Sequence, residues 1–266
     1  RDCGMIYERG ELFLNQVPPF LAYNILAAVN DPLDMGLHII LLPDYKPEEF
    51  MDNVYKYKVN HVIAGPADYK SFLSKKQITK RDYSFLKTMI SGSDKIDELT
   101  KEKVNFILQS CGCKGEILEG YGMTEVGAAA IMNLPQCIVP NSVGIPLKNV
   151  SVSVYDNENN EELTYNQTGE ICLMGETLMK GYYSNSTATS EVLRRHKDGN
   201  IWLHTGDMGY VSENGNVFLE GRIKRVIVRF DGQKVSSYTE LQNILQYYAA
   251  GTTVTITYQR QEAGTF

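Results

Sequence analysis

The chain lacks any apolar run close to the roughly 18 residues needed to span a bilayer, and its N-terminus has no basic-then-apolar leader. A membrane-spanning or exported protein is therefore not expected, and the cytoplasm is the default address. The cysteines, Cys3, Cys111, Cys113, Cys137 and Cys172, form no CxxC pair, and their odd number leaves one over in any full pairing. Reduced thiols in a cytosolic protein are the expectation. Basic charge is also short. With 26 Lys and Arg against 32 Asp and Glu the net charge is -6, which speaks against broad binding to a nucleic-acid backbone, so any anionic ligand must be gripped locally. Internal repeats and low-complexity tracts are missing. So is an initiating methionine: the chain opens at Arg1 and runs into Glu11-Leu12-Phe13-Leu14 without a cap or leader, and is expected to begin inside a longer gene product.

What remains is ordinary globular material. Hydrophobic residues make up 43% and charged residues 22%, far from the signature of disorder, and 266 residues can bury a substantial core. His38 to Leu42 and Val59 to Ala64 read as short buried strands stopped by Pro43 and Gly65-Pro66. Between them, Pro47 to Val59 begins with proline and two glutamates and spaces Phe50, Val54 and Tyr57 along one helical face. A second helix is expected over Ile96 to Gln109, with Ile96, Leu99, Lys103 and Phe106 at helical spacing, followed by a strand at Glu116 to Glu119 that enters a glycine-bearing loop. Strand alternating with helix is the α/β rhythm. After about Gly144 the texture changes to alternation, Val150, Val152 and Val154 against serines, then the turn 157–160 and a strand at Glu170 to Met174. Asn214-Gly215 marks a tight turn between strands at Met208 to Val211 and Val217 to Glu220.

Three segments carry residues suited to chemistry. In Glu119 to Gly127, EGYGMTEVG, glycines flank an aromatic residue at the end of an expected strand, where α/β folds place ligands. Gly120 and Gly122 let the backbone approach a flat ring, Tyr121 can stack on it, Thr124 can donate to a phosphate oxygen, and Glu125 can hold magnesium. The alternative is a tight turn with a surface glutamate. Trp202 to Asp207, WLHTGD, closes a strand with a carboxylate that can accept two hydrogen bonds, as the vicinal hydroxyls of a ribose require; an Asp-containing turn reads equally well. Gly221 to Arg225, GRIKR, follows across the Asn-Gly hairpin, and Arg222 can fork onto sugar or phosphate oxygens or be one member of a solvated basic loop.

In order and spacing the three segments together resemble the adenylate-forming superfamily of acyl-CoA synthetases, luciferases and peptide-synthetase adenylation domains, from about Val17 to Val228. The resemblance implies that Gly120, Tyr121, Gly122, Met123 and Thr124 meet adenine and phosphate, that Thr124 and Glu125 are catalytic with Glu125 the magnesium ligand, and that Asp207 and Arg222 hold the ribose. Ser91-Gly92-Ser93-Asp94 resembles the loop that lies along the adenine, with Ser93 where the family usually has a second glycine. Ser142 to Pro146, Gly169 to Ile171 and Gly181 to Tyr183 resemble segments that build the β-rich subdomain and read as structural. Pro18 to Tyr23 stands where the family places an aromatic beside its acyl pocket, so Phe20 or Tyr23 is the implied substrate contact, with plain core packing as the alternative for Phe20. Lys224 takes the position about which the family's small C-terminal domain rotates. The implied reaction is attack of a small-molecule carboxylate on the α-phosphate of ATP, with Mg2+, giving an acyl-adenylate and pyrophosphate; coenzyme A is the implied acceptor.

The family's phosphate loop ending in Pro-Lys and its C-terminal catalytic lysine have no counterpart in this sequence, and weak turnover, or a non-catalytic nucleotide-binding or interaction role, is expected of the chain alone. Residues 230–261 resemble the second half of a PDZ domain of HtrA-type proteases, with Leu241, Ile244, Leu245 and Tyr248 on one helical face and Val254, Ile256 and Tyr258 alternating. The half of a PDZ domain that binds a peptide C-terminus is not in this sequence, so no such partner is expected. The competing reading is a divergent ligase small domain. The expected architecture is thus α/β: an adenylate-forming core fragment with its α/β part at 1–143, a β-rich subdomain at 144–225, and a short α+β tail at 226–266.

Overall fold

The computed structural model describes residues 5, 7–17, 21–42, 44, 46–75, 80–222, 225–234 and 255–260. Four short segments rich in β-branched and apolar residues, β1 (Leu12–Asn15), β2 (His38–Leu41), β3 (His61–Ala64) and β4 (Thr88–Ser91), join β5 (Ile117–Tyr121) in a parallel sheet of order β2-β1-β3-β4-β5. Two short antiparallel strands, β6 (Ile131–Met132) and β7 (Ile145–Pro146), extend it beyond β5. Parallel neighbours need crossovers, and the chain provides a helical segment at Asn24–Asn30 continued by α1 (Asp31–Asp34), then α2 (Phe50–Tyr57), α3 (Pro66–Leu73) and α4 (Glu98–Ser110).

Side chains alternate across each strand, and β1, β3 and β4 are packed on both faces; β2, expected to be buried, is instead the edge strand, with His38 and Leu41 exposed because no further strand pairs with its outer side among the described residues. Leu14, Val62 and Met89 point to one side, where α2, α3 and α4 supply Phe50, Val54, Tyr69, Phe72, Val104 and Leu108. Phe13 and Ile63 point to the other, against Ala28 and Leu37. α2 ends at Lys58, which takes a left-handed φ of 52°, and a single turn of tighter helix at Pro47–Glu49 precedes it. α4 is capped by the Asp97 carboxylate, which accepts the Thr100 backbone N–H at 2.9 Å.

The expected buried face of α4 is corrected by the structure. Ile96 is buried but precedes the helix, Leu99 and Phe106 are exposed by 59% and 74%, and the inward stripe is Thr100, Lys101, Val104 and Leu108. A lysine sits on that stripe because Glu119 of β5 and Glu98 take its ammonium at 2.7 and 2.9 Å. Burial pushes the Lys101 pKa down, and the two carboxylates more than offset this, so it lies above its ordinary value.

The second sheet is antiparallel, with β8 (Val150–Asp156), β9 (Glu161–Glu162), β10 (Gly169–Gly175), β11 (Leu193–Arg195), β12 (Ile201–Val211) and β13 (Val217–Arg222) in the order β11-β12-β10-β8-β9, and β13 on β12. A short helix, α5 (Ser186–Val192), precedes β11. Its core, Val154, Ile171, Leu173, Leu203 and Val217, is continuous with Val126, Ala130 and Ile131 beside the first sheet. Backbone bonds from Val143 and Val217 N–H to Val217 and Gly144 carbonyls, both within 2.9 Å, tie the two sheets together. The expected hairpin is present, with Gly215 at φ 79° in the turn. Within the tail, β14 (Arg225–Phe230), β15 (Gln233–Lys234) and β16 (Ile256–Arg260) form a small antiparallel sheet of order β15-β14-β16, while the expected helix around Leu241 to Tyr248 lies outside the described residues. No helix among the described residues is long and apolar enough to cross a membrane.

Lys101→Met leaves Glu119 charged and buried without its partner. Urea denaturation is expected to show a loss of about 3–5 kcal/mol, and the double variant Lys101→Met/Glu119→Met to recover most of it, as a removed rather than broken buried pair should.

A second polar cluster sits at the edge of the sheet, where His61 Nε2 meets Glu11 Oε2 at 2.7 Å and the Lys87 ammonium contacts the other Glu11 oxygen. Burial pushes the Glu11 carboxyl up, but Lys87, the Glu8 N–H and His61 hold it down at about 2 against an ordinary 4.5. Burial also pushes His61 below its ordinary 6.5, a carboxylate partner notwithstanding. Both groups bind more protons unfolded than folded, so the stability they contribute is lost as pH falls, first below 6.5 and then between 4.5 and about 2. In Glu11→Gln the denaturation midpoint is expected to vary less over that lower range.

Candidate functional site

The parallel strands end on one edge of the first sheet, and the loops that follow β4 and β5 open there, the position at which open α/β sheets bind ligands. Ser91 is the last residue of β4 and leads into Gly92 and Ser93; Tyr121 is the last residue of β5 and leads into Gly122, Met123 and the single helical turn Thr124–Val126. Gly122 is obligatory by contact, because a Cβ there would overlap the Ala128 carbonyl where the loop folds back on itself. Ser93 has φ 71°, the left-handed conformation that favours glycine, which is why a glycine would suit this place and why the loop carries strain here.

The β-rich sheet closes the edge from the opposite side through Asp207. The sequence alone places this residue at a strand end, but β12 continues to Val211 and Asp207 lies inside it. The pairing explains how it still points out of the ladder. Between the pairs Cys172–His204 and Glu170–Met208, one residue of β10 faces three of β12, a bulge at Thr205 to Asp207 that re-aims the carboxylate. The freed backbone groups are satisfied: Glu170 Oε1 accepts the Gly206 N–H at 2.8 Å, and Thr205 Oγ1 donates to the Ile171 carbonyl at 2.7 Å and accepts the Asp207 N–H at 3.1 Å.

Asp207 is buried, with side-chain exposure of 7%, and each of its oxygens is engaged. Tyr121 Oη donates to Oδ2 at 2.6 Å from the first sheet, and Arg222 Nε donates to Oδ1 at 2.7 Å from the facing position on β13. Burial, then the Asp207 charge and the hydrogen bond to it, push the Tyr121 phenol far above its ordinary value, so it remains a donor. A carboxylate oxygen accepts two hydrogen bonds, so Asp207 retains one acceptor position on each oxygen.

Two cavities meet at this junction. One, of about 570 Å³, is lined by Ser93, Gly120, Tyr121, Gly122, Asp207 and Arg222, together with Asp94, Lys95 and Glu220. The other, of about 550 Å³, is mostly apolar, lined by Tyr23, Phe13, Ile63, Ile90, Met132 and Leu147 along with Met123 and Thr124. Ser93, Gly120, Tyr121 and Gly122 form part of both walls. Tyr23 is half-buried, its buried hydroxyl lies beside Gly92 and finds no hydrogen-bond partner among the described residues, and desolvation pushes its pKa well up.

Glu125 lines neither cavity; its Oε1 accepts the Tyr182 hydroxyl at 2.6 Å, and its carbonyl accepts the Met179 N–H at 2.8 Å, which anchors the loop to the segment between β10 and α5. Thr124 is exposed beside it. Phe20 and Lys224 lie outside the described residues. Two residues read only as structural turn out to touch the site: Tyr182 through Glu125, and Glu170 through Gly206. Burial pushes the Glu170 carboxyl up, and hydrogen bonds from His204, Asn157 and Gly206 outweigh it, leaving the group below its ordinary range. Neither role is visible from spacing, because both act across the junction of segments distant in the chain.

Known proteins share this fold. The chain is 31% identical over 224 residues to the long-chain-fatty-acid–CoA ligase of Bacillus subtilis (strain 168), covering 84% of this chain and 38% of that protein. It is 26% identical over 264 residues to 4-coumarate–CoA ligase 1 of Arabidopsis thaliana, covering 97% of this chain and 45% of that protein, so this likeness runs through most of the tail. Among solved structures, an ATP-bound RpMatB-BxBclM chimera superposes with a TM-score of 0.70 at 28% identity, over 85% of this chain and 42% of the chimera. The chain therefore spans less than half the length of each of these three proteins. The sequence profile of AMP-binding enzymes matches residues 2–183, more than half of the chain, and by that match the chain belongs to the AMP-binding enzyme family.

Proposed function

We propose that this chain is the part of an ATP-dependent carboxylate–CoA ligase that holds the adenosine and the acyl group while an acyl-adenylate forms. The observation that carries the reading is Asp207, a buried carboxylate with one acceptor position left on each oxygen, facing a cavity whose wall also includes Tyr121 and the glycine-bearing loops. Two adjacent hydroxyls of a ribose satisfy those positions with one hydrogen bond each. The adenine then lies against the Tyr121 ring and the backbone of Ser93, Gly120 and Gly122, which line that cavity.

The apolar cavity beside Tyr23 receives the acyl chain of an apolar acid. Its carboxylate reaches the shared wall, next to where an α-phosphate attached to that ribose must stand. In this reading Thr124 donates to phosphate oxygen. Glu125, oriented by Tyr182, presents an oxygen to magnesium, an ion that accepts one or two carboxylates together with phosphate and water. Bound magnesium would supply charge neutralisation on the phosphates. The carboxylate attacks the α-phosphorus, the bond to pyrophosphate breaks, and the acyl group of the resulting acyl-adenylate passes to the thiol of coenzyme A, with AMP as the leaving group and loss of the thiol proton. The likeness to both a fatty-acid ligase and a coumarate ligase supports an apolar acid. The match to the coumarate ligase over 97% of this chain supports a ligase-type tail over a PDZ-like one.

Isothermal titration of AMP into the purified chain tests the nucleotide site. Asp207→Ala removes two hydrogen bonds to a charged group, about 1.5–3 kcal/mol each, and is expected to weaken AMP at least about 100-fold. Tyr121→Phe, which keeps the ring and loses the bond to Asp207, is expected to cost about 10-fold. The unsubstituted chain should prefer AMP to 2′-deoxy-AMP, and Asp207→Ala should not; equal AMP affinity in Asp207→Ala would sink the proposal.

A further inference from the structure

On the far side of the bulge from Asp207 lies a second polar cluster that nucleotide binding does not use. Cys172 of β10 and His204 of β12 are direct cross-strand partners, and His196 follows β11 on the adjacent strand. The cysteine sulfur and one nitrogen of each histidine all lie within 4.8 Å of one another, and all three residues are buried. Tyr155 and Trp202 pack on the His196 ring, with centroids 4.4 and 5.3 Å away, and close the cluster from solvent.

The hydrogen count of this cluster is the decisive feature. His204 Nδ1 lies 2.7 Å from Glu170 Oε2, and His196 Nδ1 lies 3.0 Å from Glu162 Oε1. Glu170 also receives Asn157 on Oε2 and the Gly206 N–H on Oε1, the pattern of an acceptor-only carboxylate. With carboxylates behind them, both Nδ1 atoms carry hydrogen, and a neutral imidazole then has only a lone pair at Nε2. Yet the two Nε2 atoms face each other at 3.0 Å. Two lone pairs at that separation repel, so a cation belongs between them: an extra proton or a metal ion.

We propose that Cys172, His196 and His204 form a site for a zinc-class ion, separate from the nucleotide and magnesium residues. Three features favour a metal over a proton. The third group at the convergence is a thiol, a preferred zinc ligand and a poor proton-sharing partner. Each histidine is backed by a carboxylate, the arrangement that orients metal-binding imidazoles. An ion about 2.0–2.1 Å from each Nε2 bridges the nitrogen pair, now 3.0 Å apart, once it opens by a few tenths of an ångström, and the sulfur, within 4.8 Å of both nitrogens, moves in to about 2.3 Å from the ion. Three protein ligands leave one tetrahedral position for water. On binding, the Cys172 S–H bond breaks and its proton goes to solvent, along with any proton shared by the imidazoles; no oxidation occurs. Through Glu170, which holds both His204 and the Gly206 N–H, the ion would brace the bulge that aims Asp207.

Cobalt(II) titration of the purified chain, followed by displacement with zinc, tests this without any nucleotide. The expected result is one ion per chain and a near-ultraviolet thiolate-to-cobalt charge-transfer band, which Cys172→Ser abolishes while circular dichroism is unchanged. Glu162→Gln alters a half-exposed carboxylate (48%) and is not expected to disturb folding, so it covers the case in which Cys172→Ser does not fold. It is expected to weaken zinc, measured against a chromophoric chelator, by about 10–100-fold. Absence of the band in the unsubstituted chain overturns the proposal in favour of a shared proton. Survival of the band in folded Cys172→Ser, which would trace it to another thiol such as exposed Cys137, or an unchanged zinc affinity in Glu162→Gln, overturns it equally.

Discussion

A buried carboxylate is held between two sheets: Asp207 accepts Tyr121 from the parallel sheet and Arg222 from the antiparallel one, at 2.6 and 2.7 Å. An ionised group with so little exposure is costly unless its oxygens are engaged, and here the engaging donors also fix the separation of β5 from β12. The cavity assigned to adenosine is the space left around that contact. Its geometry follows from the bulge at Thr205 to Asp207, and the bulge in turn relies on Glu170 and Thr205 to satisfy the backbone groups it releases.

The same contact explains why the two cavities adjoin. Tyr121 ends β5, so the loop behind it must turn sharply, and Gly122 allows the chain to pass against Ala128 without a clash. The loop then reaches Glu125, whose carboxylate and carbonyl are fastened by Tyr182 and Met179 from the loop between β10 and α5. Gly120, Tyr121 and Gly122 form a wall shared by a polar chamber and an apolar one, which in the proposed reading sets a hydrophobic acid beside a nucleotide phosphate. Ser93 completes that wall in a conformation better suited to glycine, a local strain retained where the loop lines both chambers.

Local patterns in the sequence were legible where one element decides the outcome. The apolar runs at β2 and β3, the Pro47 helix start, the alternation of β8 and the Asn-Gly turn before β13 all lie where periodicity and turn chemistry place them. The face of α4 was not legible. Leu99 and Phe106 advertise an apolar stripe, but Lys101 lies inside because Glu119, 18 residues later, neutralises it there. A spacing rule that scores lysine as polar cannot anticipate a partner on another element.

By itself the sequence determined the alternation of strands and helices, the shift to a β-rich second half, and the identity of the segments that carry Tyr121, Asp207 and Arg222, because each depends on residues close together in the chain. Only the tertiary structure decided that Tyr121 and Arg222 share one carboxylate, that Tyr182 orients Glu125, and that Cys172, His196 and His204 converge. Those contacts join residues 15 to 86 positions apart or lie across paired strands. Their distances are set by strand register and a bulge, which no local pattern encodes.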